Sequence, residues 1–193
     1  KNRVPMATAR DFTAFIIAGR NLPQVNTVQG PGPCNAYCSV LLLNAHDPIP
    51  DEGLVATEVK GTCTTSVNQT CNPMINSEIV MRKQVTDGSS ILITVWHKAP
   101  MGPENRGDLK LGRVKIPLPP PNAMATWYTI ADDHGVAVQG SGGGFAEIQI
   151  QLVMPGQTRP PVIPPGMSPP QQPMQPPPHF QQQTPTINAA PPP

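Results

Sequence analysis

The stretch that decides the fold is TSVNQTCNPMINSE, residues 65–78. Thr65 and Val67 are β-formers at alternating spacing, so the run opens as strand. Asn72-Pro73 is a turn with a mechanism. The proline ring presets its own φ and pushes Asn72 out of helical space, and the Asn side chain caps nearby backbone groups. Met74 and Ile75 follow as expected buried bulk before the next strand, SEIVMRKQV, begins.

Working outward, the same reading gives eight β-like stretches and no amphipathic helix. They are FTAFIIAG (12–19), AYCSVLLL (36–43), LVATEV (54–59), CTTSV (63–67), SEIVMRKQV (77–85), ILITVWHK (91–98), LGRVKIPL (111–118) and FAEIQIQLV (145–153). Ile91, Ile93 and Val95 share one face by period-2 alternation, as do Ile148, Ile150 and Leu152. The connectors are rich in Pro, Gly and Asn. Short strands with such spacers predict an all-β chain, an eight-stranded antiparallel β-sandwich whose loops gather at its two ends.

Composition divides the chain. Of its 28 prolines, 15 fall in residues 155–193, which carry a single charged side chain, Arg159. Too little apolar bulk is left there for a core, so this segment is expected to be a disordered or polyproline II tail. Residues 1–11 read as an N-terminal extension and 12–154 as the sandwich. Setting the tail aside leaves 12 Lys+Arg against 12 Asp+Glu. A neutral domain has no long-range pull toward nucleic acid or an anionic bilayer, so nucleic acid is not an expected partner. No window approaches the roughly 20 apolar residues of a membrane helix, and KNRVPMATARDF has no apolar signal core. The cysteines Cys34, Cys38, Cys63 and Cys71 lack paired C-x-x-C spacing and read as reduced thiols serving as small strand hydrophobes. Asn68-Gln69-Thr70 fits a glycosylation sequon and is read as chance. A cytoplasmic location, with membrane or cytoskeleton association, is the expectation.

Six motifs in order, together with the 65–78 run, resemble the C2 domain family. FTAFIIAGRNLP is similar to its first strand, and CNAYCSVLLL to its Asp-Pro-Tyr-Val strand, with Asn35 and Ala36 in place of Asp-Pro. The 65–78 run is similar to its central Asn-Pro signature. ILITVWH resembles the strand ending Val-Trp-Asp, with His97 for the Asp. DLKLGRVKIPL and WYTI resemble later segments, and FAEIQIQLV the closing strand. The short lead before Phe12 suggests the circularly permuted type II arrangement, with FAEIQIQLV supplying the strand beside the first.

The resemblance implies a non-enzymatic binding module without a cofactor. Many members bind calcium through aspartates at one end, and Ca²⁺ takes six to eight oxygens. Carried over one position at a time, those sites fall at Asn26, Asn35, His97, Ala99 and Asp108, leaving one carboxylate. The resemblance therefore implies a degenerate site and calcium-independent docking or scaffolding through protein partners. The alternative is an adaptor for anionic phospholipid using Lys98, Met101, Arg106 and Lys110 of the third loop. The family's second lipid site, on sheet lysines, is expected to be absent, because LVATEV and CTTSV offer only the nearby Lys60. In the tail, Arg159, Pro161 and Pro164 are partner-binding candidates, since polyproline II segments bind aromatic grooves at little entropic cost. No nucleophile elbow or phosphate loop is present: SGGGF (141–145) lacks the following helix and Lys, and reads as a flexible linker.

Overall fold

The computed structural model describes residues 12–27, 30–47, 49, 63–81, 85–99, 107–120 and 124–154. They belong to the first of two compact units, Lys1–Pro160; the second, Pro161–Pro193, lies outside the described residues. The expected strand at 54–59, the extension at 1–11 and the tail candidates Arg159, Pro161 and Pro164 likewise fall outside them.

The described chain is all-β and every ladder is antiparallel. The strands are β1 (Phe12–Arg20), β2 (Val25–Thr27), β3 (Gly30–Gly32), β4 (Ala36–Leu43), β5 (Met74–Met81), β6 (Ser90–His97), β7 (Leu109–Pro117), β8 (Thr126–Thr129) and β9 (Glu147–Val153). One sheet runs β5-β1-β9-β8, a second runs β4-β6-β7, and β2 with β3 forms a small hairpin. Alternation drives the packing: Ile91, Ile93 and Val95 meet Ile148, Ile150 and Leu152 in one buried core. β1 is buried on both faces. Phe12, Ala14 and Ile16 enter that core, while Phe15, Ile17 and Ala18 pack on the other side with Trp127 and Val153.

Several elements depart from the sequence reading. β5 starts three residues earlier than expected, at Met74, whose side chain is 40% exposed and adds no buried bulk. Ile75 is buried as expected. Residues 63–67 form no strand. Cys63 and Val67 make single bridges to Ser39 and Ala36, and between them Thr64 Oγ1 takes the Cys38 amide at 3.0 Å, so a side chain occupies a ladder position. The connector after β1 holds the β2–β3 hairpin, and the first three residues of WYTI, preceded by Thr126, form β8.

The 65–78 run crosses between the sheets. Val67 and Ala36 exchange two backbone hydrogen bonds at 2.8 and 2.9 Å, tying its start to β4. From Met74 it pairs along β1. At the crossing, the Gly19 amide donates to the Pro73 carbonyl and the Leu22 amide to the Cys71 carbonyl, both at 2.8 Å. Asn72 Oδ1 accepts the Asn21 amide at 2.7 Å. Asn21 has φ 54°, a left-handed conformation that Asn tolerates better than most residues. Its side chain reaches on to Gly142 N at 2.5 Å and the Phe145 carbonyl at 3.2 Å. The glycine-rich stretch before β9, read as a flexible linker, is thus tied to the end of β1. A Cβ on Gly140 would lie 2.0 Å from the Asn21 carbonyl oxygen, so only glycine fits there.

Candidate functional site

β4 begins just after Asn35, β6 ends at His97, and β7 begins just after Asp108. Antiparallel pairing therefore brings these three residues to one end of the three-stranded sheet: Ala36 faces His97, and His97 faces Leu109. Four of the five carried-over positions meet there and brace one another. The Asn35 amide donates to His97 Nδ1 at 2.9 Å, and the Lys98 amide to the Asn35 carbonyl at 2.8 Å. Asn35 Oδ1 accepts the Gln69 amide at 2.9 Å. Asp108 Oδ2 accepts the Tyr37 hydroxyl at 2.6 Å and Oδ1 the Ala99 amide at 3.0 Å. The fifth position, Asn26, lies on β2, exposed and paired with Pro31.

The electrostatics follow from this geometry. Desolvation lowers the His97 pKa and the nearby Asp108 charge opposes it; the neutral ring is the form that accepts from Asn35. Burial, and then the bond to Asp108, push the Tyr37 hydroxyl well above its ordinary range, keeping it a donor. The Tyr37 ring stacks on Trp96 with centroids 6.4 Å apart, and Trp96 Nε1 donates to Ser39 Oγ at 2.9 Å. Among the described residues no three His, Cys, Asp or Glu side chains gather as a metal site.

Of the four lipid candidates, Lys98 is exposed at this end. Lys110 forms an ion pair with Asp133, which also holds Arg113 at 3.2 Å. Met101 and Arg106 lie outside the described residues. Sequence reasoning missed Tyr37 and Asn35 as brace members and Asp133 as the partner of Lys110. Tyr37 beside a position that had lost its Asp was the available signal; Asp133 stands 23 residues from Lys110 and left none. Leu109 is 53% exposed beside the brace and was also missed.

A two-layer antiparallel sandwich with loop-borne polar groups at one end defines a C2-type binding module. A C2 domain family model matches residues 10–130, and this chain belongs to that family. Such domains commonly mediate protein or lipid interaction and are generally non-catalytic. Among solved structures it is similar to a C2 domain of plant Extended Synaptotagmin 1, at 14% identity and TM-score 0.53, over 78% of this chain and 97% of that one. It is similar to the paired C2 domains of calcium-bound Extended-Synaptotagmin 2, at 12% identity and TM-score 0.51, over 76% and 45%. It also resembles human GIVD cytosolic phospholipase A2, at 12% identity and TM-score 0.52, over 77% of this chain but 16% of that enzyme. These likenesses show the fold. No curated protein sequence matches the chain. No helix among the described residues is long and apolar enough to cross a membrane.

Proposed function

We propose that this chain is a calcium-independent docking or scaffold module that binds protein partners within a larger assembly. One observation carries the reading: among the described residues, four of the five positions where calcium would sit are tied up in hydrogen bonds of the chain itself. Calcium needs six to eight oxygens, several of them anionic. Of the five carried-over positions one keeps a carboxylate, Asp108, and both its oxygens already have donors. Asn35 Oδ1 is committed to Gln69, His97 presents nitrogen, and Ala99 has no side-chain ligand. So small a set of free oxygens at these five positions supports calcium independence. The pairing of β9 beside β1 supports the permuted, type II arrangement. The cytoplasmic location and the partner role of the Pro-rich segment through Arg159, Pro161 and Pro164 belong to this same reading.

A second reading, a peripheral adaptor for anionic phospholipid without calcium, draws on exposed Lys98 next to Leu109. The pairing of Lys110 with Asp133 weakens it, because a neutralised lysine adds little surface attraction. Co-sedimentation of the full chain with phosphatidylserine vesicles, with and without calcium, separates the two. The scaffold reading predicts no pelleting in either condition. Pelleting without calcium that Lys98→Ala reduces would replace it with the adaptor reading. Pelleting that requires calcium would defeat both.

A further inference from the structure

The crossing run places two thiols together where it meets the head of β4. The Thr70 amide donates to the Cys34 carbonyl at 3.1 Å, and Cys34 Sγ donates to the Thr70 carbonyl at 3.4 Å. This two-way pairing sets the next residue, Cys71, beside Cys34, and the two belong to the same apolar cluster. Cys34 is sealed in the core, whereas Cys71 is half-buried and packs against it. The other two cysteines are set differently. Cys63 pairs across from Ser39, and Cys38 is the neighbour of Ser39 on the strand. Successive strand residues point to opposite faces, so Cys63 and Cys38 stand on opposite sides of the sheet.

We propose that Cys34 and Cys71 are an oxidative modification site, closing a reversible disulfide by exchange with a small-molecule disulfide such as glutathione disulfide. Burial, ahead of the neighbouring Cys71, pushes the Cys34 thiol up to about 12, so the first attack falls to the more accessible Cys71. The Cys71 thiolate attacks one glutathione sulfur, forming a mixed disulfide and releasing one glutathione thiolate. Cys34 Sγ then attacks Cys71 Sγ, breaking the mixed disulfide, and the departing glutathione thiolate takes up the Cys34 proton. Two protein thiols are oxidised and one small disulfide is reduced to two thiols. The link clamps the crossing to the residue before Asn35. It therefore fixes the braced end of the sandwich covalently.

The full chain is incubated in oxidised glutathione at mildly alkaline pH, then followed by intact mass, peptide mapping and thermal melting. The expected product has lost two hydrogen atoms and carries a Cys34–Cys71 cross-linked peptide. Closing a loop of about 37 residues raises Tm by roughly 8–16 °C, and dithiothreitol reverses the mass and Tm changes. Cys71→Ser abolishes the cross-link and the shift. Cys34→Ala, which keeps the accessible thiol, traps glutathione on Cys71. Overturning results are glutathione resting on Cys71 in the unsubstituted chain, no mass change, or a cross-link between any other pair.

Discussion

Tyr37→Phe removes one hydroxyl and leaves the ring in place. The ring is buried and stacked on Trp96, so the substitution reads the bond to Asp108 and little else. A hydrogen bond to a charged group contributes about 1.5–3 kcal/mol. Asp108 is on the exposed side of the brace, and solvent screening places the bond at the low end, about 1.5 kcal/mol. Asp108→Ala removes the same bond and also the acceptor of the Ala99 amide, which lies at an exposed position and regains water; the total is about 2–2.5 kcal/mol. The double variant has only one such bond to lose, so it should be no less stable than Asp108→Ala by more than a few tenths. The coupling energy is therefore about 1–1.5 kcal/mol. Urea unfolding of the full chain, read with unchanged m-values, measures it. Melting gives the same answer more coarsely, with Tyr37→Phe lowering Tm by roughly 3–6 °C. Additivity of the two single effects within about 0.3–0.5 kcal/mol would refute the brace, because independent residues add.

The His97 pKa is lowered in the folded chain, so the unfolded chain binds the proton more readily. The neutral ring's contribution is present above the ordinary value of 6.5 and is lost as pH falls from there through the lower folded value; the difference between the unsubstituted chain and His97→Gln should shrink below 6.5. A gap that widened on acidification would contradict the assignment of Nδ1 as an acceptor. Gly140→Ala places a Cβ 2.0 Å from backbone of Asn21, and the cost should exceed the roughly 1–3 kcal/mol of ordinary overpacking. A variant with unchanged urea midpoint would show that the glycine stretch is not held against β1.

The framework was legible because its signals are local and periodic. The alternation of Ile91, Ile93 and Val95 names the core face of β6 without reference to any other strand. Asn72-Pro73 gives a turn from its own stereochemistry. Other features depended on partners remote in sequence. Residues 63–67 read as strand by propensity, yet Thr64 spends its hydroxyl on Cys38 and breaks the ladder. The β2–β3 hairpin hid inside a Gly- and Pro-rich connector that carries no apolar alternation. SGGGF looked like a linker because glycine is permissive, and the contact that fixes the stretch comes from Asn21, 121 residues away at Gly142. The candidate site divides in the same way. Substitution of Asn35, His97 and Ala99 at carboxylate positions was visible in the residues themselves. Their mutual bonding depended on antiparallel register between β4, β6 and β7, which the sequence does not display.

Calcium titration of the full chain, followed by calorimetry and by thermal melting in calcium against EDTA, tests the central claim most directly. A chain whose Asn35, His97, Ala99 and Asp108 are already tied up in its own hydrogen bonds should give no saturable heat and the same Tm in both buffers, since a ligand that does not bind cannot shift stability. Saturable binding with a Kd at or below about 1 mM, accompanied by a Tm rise that Asp108→Ala removes, would contradict the account.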